Sequence, residues 1–385
     1  MRVLYLCGEF PPMQGGVGDC TNEIAKALNR IGVETRVLTS AHARGGTWQI
    51  PVEPLVEKWD WASYRIMREV IRRYQPDIIH TQYQTAAFGM HPAINFLPFF
   101  FKRAGSKFCI TFHDLRPPYL FPKAGRVRDW VTVFPARHSD FTIVTNAEDD
   151  ASLAARNVGH RTVIPIGSNI TPTLPKDYSR ATWRLKYGAG ENDLLLCYFG
   201  FLNDSKGGID LMRALALVPN AKLLMVGGQV GASDETNAAY LGQVKHLIAE
   251  LNLAARVIWT GYTDPGQVSA NLLAADICVL PYRDGASFRR GSLMAALAHG
   301  LAIVTTTPAS IGKGTGKGVE IRDGENALLA PPQDPRRLAE AVMQLAKDAP
   351  LREKIRAGAK QLAGNFTWDK IAAQHFDLYQ RLGHS

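Results

Sequence analysis

Asp193 to Gly228 reads DLLLCYFGFLNDSKGGIDLMRALALVPNAKLLMVGG. DLLLCYFG is a short apolar run of the kind a fully buried strand requires. DLMRALALV follows with strong helix formers, and AKLLMVGG is a second apolar run ending in glycine. Strand, loop, helix and strand in that order make the βαβ unit of a parallel sheet. Upstream, the same alternation has already run once. It starts with a strand over Val3–Cys7 and the helix CTNEIAKALNRIG closed by Gly32, continues through TRVLTS, DIIHTQ, KFCITF and FTIVTN, and ends at RTVIPI. Downstream come the helix AAYLGQVKHLIAELN and the strands RVIWTG, DICVL and LAIVTT. Two successive sets predict an α/β protein with two Rossmann-like, doubly wound parallel-sheet domains. The break falls in GSNITPTLPKDY (167–178), rich in Pro, Ser and Thr. Ligands of open parallel sheets sit outside the carboxyl ends of the strands. Two such domains facing each other are therefore expected to form a cleft with one substrate on each wall.

Length agrees with this division: 385 residues exceed what one hydrophobic core usually organises. Hydrophobic residues make up 46% and charged residues 21%, the balance of a water-soluble enzyme. A formal net charge of +9 points to an anionic partner. The basic residues are scattered and no nucleic-acid motif appears, which disfavours nucleic acid. Cys7, Cys20, Cys109, Cys197 and Cys278 have no CxxC spacing and mostly sit in apolar runs, so buried free thiols in a cytoplasmic protein are expected. No run approaches the length of a spanning helix. Ile94–Lys107, INFLPFFFKRAGSK, is an aromatic cluster followed by bases. It is either a packed helix end or a patch that touches an anionic membrane.

The chemistry-bearing residues gather at predicted strand ends. EFPPMQGGVGD (9–19) places Gly15, Gly16 and Gly18 before a helix, where backbone can approach a ligand and N–H groups face an anion. The spacing is neither GxGxxG nor a P-loop, so a tight turn and a binding loop both remain open. Lys206 stands beside Gly207 and Gly208, better placed than most lysines to meet a phosphate. ITFHDL puts His113 and Asp114 at another strand end, and Glu148 in TNAEDD is a further polar candidate or a helix-start carboxylate. RDGASFRRGSLMAALAHG (283–300) brings Arg289 and Arg290 to a helix N-terminus, the end where the dipole is already positive.

Taken together, these stretches resemble family 4 of the retaining glycosyltransferases, which have the GT-B fold, over essentially the whole chain. PPMQGGVGD is similar to that family's amino-terminal glycine loop. DIIHTQ and ITFHDL resemble its DIVHxH and xxxHD strand ends, and VIPIGSNI its VIPNGVD segment. FGFLNDSKGGIDLMRAL resembles the GRLxxxKGxxxLIxA donor-phosphate loop. IWTGYTDPGQVSANLLAADICVLPY and the tail FTWDKIAAQHFDLYQRL match two further motifs. Two departures from the pattern matter. Phe201 stands where the family has the arginine of GRL, and Ser287 and Ala295 stand where it has its E-x7-E glutamates.

The resemblance implies an amino-terminal acceptor-side domain over 1–170, a nucleotide-sugar domain over 171–362, and a helix over 363–385 that crosses back. It implies retaining transfer of a sugar from a UDP- or GDP-linked donor to a hydroxyl of a glycan or lipid-linked acceptor, as in polysaccharide or glycoconjugate biosynthesis. No metal or other cofactor is expected, and no Asp-x-Asp motif is present. His113, Lys206 and Arg290 take the catalytic roles, with Arg289 or Arg290 supplying the charge missing at Phe201. Gly15, Gly16, Val17, Phe201, Asn203, Gly207, Tyr262, Ser287, Arg289, Gly291, Ser292 and Leu293 bind the donor. For the arginines, pairing with Asp284 or exposure to solvent is the local alternative. A peripheral place at the cytoplasmic face of a membrane fits the basic charge. The competing readings are a non-catalytic nucleotide-sugar-binding protein, a sugar synthase or phosphorylase of the same fold, and, disfavoured by its missing fingerprint, a dinucleotide-dependent oxidoreductase.

Overall fold

The computed structural model describes residues 1–101, 105–115, 125–228, 235–309 and 319–383. The chain separates into two compact units, Met1–Gly167 with Thr367–Ser385, and Ser168–Phe366. The first holds seven strands: β1 (Arg2–Cys7), β2 (Glu34–Ser40), β3 (Val52–Val56), β4 (Ile78–Tyr83), β5 (Lys107–Phe112), β6 (Phe141–Val144) and β7 (Arg161–Val163). They pair in the order β3-β2-β1-β4-β5-β6-β7, every pair parallel. The second holds β8 (Leu195–Phe199), β9 (Lys222–Val226), β10 (Val257–Gly261), β11 (Ile277–Leu280), β12 (Ile303–Thr306) and β13 (Leu328–Ala330). Their order is β10-β9-β8-β11-β12-β13, again wholly parallel. Each sheet thus reverses its winding once, between β1 and β4 in the first unit and between β8 and β11 in the second.

Central strands are buried on both faces, which is why β1, β8 and β11 read as unbroken apolar runs; β4 is equally inaccessible but carries His80, Thr81 and Gln82. The helix Gly16–Arg30 buries Val17, Cys20, Ile24 and Leu28 on one stripe. The helix Trp368–Gly383 does the same with Ile371, His375, Leu378, Tyr379 and Leu382. Its apolar residues join Val3, Tyr5, Ile24 and Leu28 in one core cluster. This helix therefore completes the first unit, although the second unit intervenes in sequence. All five cysteines are buried and free.

Two strands lie outside the periodic reading. β3 contains Pro54, and β13 is three residues long. Both are sheet edges, where proline is tolerated because one side of the ladder is unpaired. Within Ile94–Lys107, Leu97, Pro98 and Phe101 are buried while Phe99 and Phe100 are exposed, and Lys102 and Arg103 lie outside the described residues. Among the described residues, no helix is long and apolar enough to cross a membrane.

Candidate active site

In the second unit the winding reverses between β8 and β11, so the loops after these two strands lie side by side. The loop after β8 turns sharply at Gly200, then forms a single turn over Asp204–Lys206 before the helix Gly208–Leu217. Asn203 caps that turn, its Oδ1 accepting from Lys206 N at 3.1 Å. Gly207 links turn to helix with φ +70°, and a Cβ there would sit 1.9 Å from Pro281 O. Only glycine allows both the left-handed backbone and this close approach to the β11 loop. The constraint locks the two loops together.

The β11 loop answers with Tyr282, Asp284, Arg289, Arg290 and Ser292. Arg290 lies across the Tyr282 ring, its guanidinium carbon 5.1 Å from the centroid, and donates from Nη1 to Ser205 Oγ at 3.2 Å. The Tyr282 hydroxyl pairs with Ser292 Oγ at 2.7 Å, and burial holds the phenol well above its usual range. Both arginines reach Asp284, Arg289 at 3.0 Å and Arg290 through Nη2 to both carboxylate oxygens. The local alternative weighed for these arginines, pairing with Asp284, is thus what the structure contains. Pairing does not exhaust the charge, because two arginines share one carboxylate.

Lys206 supplies the unbalanced cation. Among the described residues no carboxylate pairs with it. A Cβ on Gly200 would lie 3.2 Å from Lys206 Nζ and 3.6 Å from Ser292 Cβ, so the lysine ammonium and the start of the helix Gly291–Ala298 converge on one spot. Burial, and then the Arg290 charge, lower the Lys206 pKa to about 8. A cation crowded by another cation and short of counterions is arranged for an anion. The first turn of the helix adds N–H groups that no intrahelical carbonyl can satisfy.

The remaining donor-side residues occupy varied places. Phe201 is half-buried, and its carbonyl accepts from the Tyr198 hydroxyl at 3.2 Å. Tyr262, just beyond β10, is 68% exposed and offers an open aromatic face. Ser287 O accepts from Arg290 N, which sets the approach to the helix beginning at Gly291. Leu293 is fully buried and its N–H donates to Arg290 O, so its side chain packs the core. Ala295, at the second position of the missing glutamate pair, is likewise wholly buried.

The glycine loop of the first unit is built differently. The helix Gly16–Arg30 begins one turn earlier than the expected Cys20, so Gly16 and Gly18 lie in its first turn and Gly15 alone precedes it, in extended conformation. Its amino-terminal amides, however, already have an anion. Glu9 folds back so that Oε1 accepts from Val17 N at 3.2 Å, and a Cβ on Gly15 would sit 2.0 Å from that oxygen. Burial raises the Glu9 pKa, while the Val17 and Gly18 N–H groups pull it back. Gly15 and the Val17 and Gly18 amides therefore cradle the chain's own carboxylate, a partner that the glycine spacing alone does not reveal. Glu148 is exposed in the first turn of the helix Ala147–Ala155, whose cap is Asn146. His113, at the end of β5, is half-buried with Nε2 2.8 Å from Gln82 Oε1, and burial followed by the His375 charge lowers its pKa to about 4.

Comparison with known proteins settles the family. The Glycosyl transferase 4-like domain matches residues 15–167, and Glycosyl transferases group 1 matches residues 179–362. The chain belongs to the GT-B glycosyltransferases. This glycosyltransferase is 26% identical over 333 residues to EpsD of Bacillus subtilis, covering 83% of the chain and 80% of EpsD. It is 26% identical over 254 residues to the D-inositol 3-phosphate glycosyltransferase of Corynebacterium diphtheriae, covering 63% of the chain and 56% of that enzyme. The match thus spans little more than half the length of the inositol phosphate enzyme. Its fold superposes on Anabaena HepE, solved in complex with UDP and glucose, with TM-score 0.76, 20% identity and coverage of 99% and 100%.

Proposed function

We propose that this glycosyltransferase takes a sugar from a nucleotide diphosphate sugar, UDP- or GDP-linked, and transfers it with retention to a hydroxyl of a glycan or lipid-linked acceptor. The observation that carries the reading is Lys206, a cation with no carboxylate partner among the described residues, beside Arg290 at the β8/β11 reversal. Breaking the anomeric bond leaves charge on the departing diphosphate. Preorganised cations stabilise that charge most where water is scarce. In this reading Lys206 and Arg290 neutralise the phosphates and the helix beginning at Gly291 adds its amides, so that no metal ion is needed. His113 holds a sugar hydroxyl. The oxocarbenium-like sugar is attacked on the face the diphosphate leaves, and the leaving phosphate takes the acceptor proton. Sugar–diphosphate bond breaks, sugar–oxygen bond forms, and the proton ends on the nucleoside diphosphate. The fold shared with HepE, whose solved complex holds UDP, supports a UDP-linked donor.

A thermal-shift screen of nucleotide sugars tests the donor, because a ligand that binds only the folded state raises its stability. Titration with UDP tests the residues. Arg290→Ala is expected to weaken binding about tenfold, the scale of one charged hydrogen bond. Arg289→Ala, which removes a more exposed group, is expected to weaken it less. The pH dependence adds an internal check. Lys206 carries its charge below about 8, so UDP affinity is expected to hold at neutral pH and fall as pH rises through 8. In Arg290→Ala that midpoint moves upward, because a charge that disfavours the ammonium is gone. Undiminished UDP affinity in both arginine variants and up to pH 10 would sink the assignment.

We further propose peripheral attachment to anionic membrane through the first unit. Trp61, Phe99, Phe100 and Trp130 are each about half exposed. Trp61 lies 6.5 Å from Phe100 and 5.6 Å from Phe96, which lies 6.3 Å from Trp130, so the rings form one surface patch. Aromatic rings favour the bilayer interface. Cosedimentation with phosphatidylglycerol vesicles is expected to drop several-fold in Trp61→Ala/Phe99→Ala, with phosphatidylcholine vesicles binding weakly throughout. Binding of the variant to phosphatidylglycerol vesicles as strong as that of wild type would remove the patch from consideration.

A further inference from the structure

The first unit contains a buried polar chain that none of the roles above uses. The Tyr5 hydroxyl on β1 meets the Tyr379 hydroxyl of the helix Trp368–Gly383 at 2.9 Å. Tyr379 Oη meets His80 Nδ1 on β4 at 2.5 Å. His80 Nε2 meets Thr111 Oγ1 on β5 at 2.7 Å and Gln82 Nε2 at 3.4 Å. Gln82 Oε1 then meets His113 Nε2 at 2.8 Å. His375 stands beside the chain, its ring 5.8 Å from that of His80, and binds Ile371 O through Nδ1. Tyr5, His80, Gln82 and Thr111 are almost wholly inaccessible. Such a network can rigidify a core when every member is satisfied.

Donor and acceptor roles along the chain follow from the amide. Gln82 Nε2 can only donate, so the facing His80 Nε2 carries no proton, and its single lone pair accepts from Thr111 at the shorter distance. The His80 proton is then on Nδ1, which donates to Tyr379, and Tyr379 donates to Tyr5. At the other end Gln82 Oε1 can only accept, so His113 Nε2 carries the proton. A neutral imidazole with its proton on Nε2 keeps a lone pair on Nδ1. Among the described residues nothing binds that Nδ1. His113 is half-buried at the carboxyl end of β5, where ligands of a parallel sheet are met.

We propose that Gln82 is a positioning residue for His113: its amide fixes the imidazole as the Nε2–H tautomer, so that Nδ1 accepts a hydrogen bond from a substrate hydroxyl. The inference rests on the reading that His113 meets a sugar hydroxyl, but the tautomer itself is a property of the free protein. It defines what His113 can recognise. A hydroxyl that donates fits, whereas a group that only accepts, such as a carboxylate or ether oxygen, finds no proton there. An amide is suited to this task because it does not titrate. A carboxylate in its place would draw a second proton onto the ring and abolish the lone pair.

The test is a long-range 15N–1H correlation spectrum of the 15N-histidine-labelled protein at pH 7, with the His113 signals assigned from a His113→Asn variant. His113 is expected as the neutral Nε2–H form. In Gln82→Glu, a nearly isosteric change, the His113 pKa is expected to rise from about 4 by about 1–3 units through the adjacent carboxylate, so the imidazolium is expected to appear as the spectrum is taken down from pH 7 to pH 5. The titratable groups that face the ring, His80 on β4 and His375 on the carboxyl-terminal helix, are expected to stay neutral. In Gln82→Leu the ring is expected to show mixed tautomers. Wild-type His113 protonated on Nδ1, or a tautomer unchanged in Gln82→Leu, overturns the proposal. The second arm is hydrolysis of UDP-glucose. Its rate should gain a pH inflection in Gln82→Glu that wild type lacks across pH 5–7, below the titration of Lys206. Failure of UDP-glucose turnover in wild type with the expected tautomer would count against the donor reading and leave the tautomer assignment standing. A Gln82→Glu profile superimposable on that of wild type would overturn the positioning role.

Discussion

Replacing Lys206 by alanine is expected to lower turnover of the nucleotide sugar by about 10²–10³-fold, the usual cost of removing one preorganised donor from a developing negative charge. The reason lies in what surrounds the ammonium. Arg290 already has Asp284 and Ser205, and Arg289 has Asp284, whereas among the described residues Lys206 has no carboxylate. Its charge is thus the part of the corner that the protein leaves unspent. Removing it also relieves repulsion with Arg290, so the melting temperature is expected to hold or rise slightly. That combination, activity lost without stability lost, separates a functional cation from a structural one. Lys206→Arg is expected to recover only part of the rate, since a planar fork does not replace a compact ammonium. Single-turnover consumption of donor, read beside thermal melting, checks both. Wild-type turnover in Lys206→Ala would end the assignment of the second unit's loop corner as the place of the leaving group.

Gly207→Ala is expected to be the most damaging small substitution in the second unit. The left-handed backbone costs a residue with a Cβ about 1–2 kcal/mol. The added carbon would also lie 1.9 Å from Pro281 O, a backbone atom that cannot rotate away. Overpacking of this kind adds about 1–3 kcal/mol, for a total of about 2–5 kcal/mol. Relief requires the β8 and β11 loops to separate, which pulls Lys206 away from Ser292. Stability and UDP affinity should therefore fall together, by denaturant unfolding and by titration. Gly208→Ala is a useful contrast: its new Cβ would meet Leu202 Cδ2 at 2.8 Å, the end of a flexible side chain, at an ordinary helical position. A Gly207→Ala protein as stable as wild type would show that the loops are not locked.

What could be read in advance follows from how each feature is encoded. Strands buried on both faces announce themselves as apolar runs, and β1, β5, β8, β9 and β11 are visible for that reason. β3 and β13 are not, because an edge strand with a proline or only three residues has no periodic signature. At the corner formed by the β8 and β11 loops, Lys206 and the two arginines are legible from their places at strand ends. Their counterion, Asp284, is legible only as an alternative, since charge pairing depends on loop geometry. Glu9, Tyr282 and Gln82 were missed as site residues. Each acts through a contact that sequence spacing does not encode: a carboxylate folding back on a helix terminus, a ring beneath a guanidinium, and an amide bridging neighbouring strands. Glutamine in DIIHTQ, where the family pattern has histidine, was the available signal for the last.

The hydroxyl pair Tyr5–Tyr379 joins positions 374 residues apart. During synthesis the first sheet can assemble as soon as β7 emerges, but one of its core faces stays open. Val3, Tyr5, Ile24 and Leu28 have to wait for the stripe carried by Trp368–Gly383. With translation at about 5–20 residues per second, the interval from Val163 to Tyr379 lasts roughly ten to forty seconds. Throughout that time a nascent chain carries an uncovered apolar groove while the whole second unit is being made. The amino-terminal half therefore cannot close its core until the helix Trp368–Gly383 has been made.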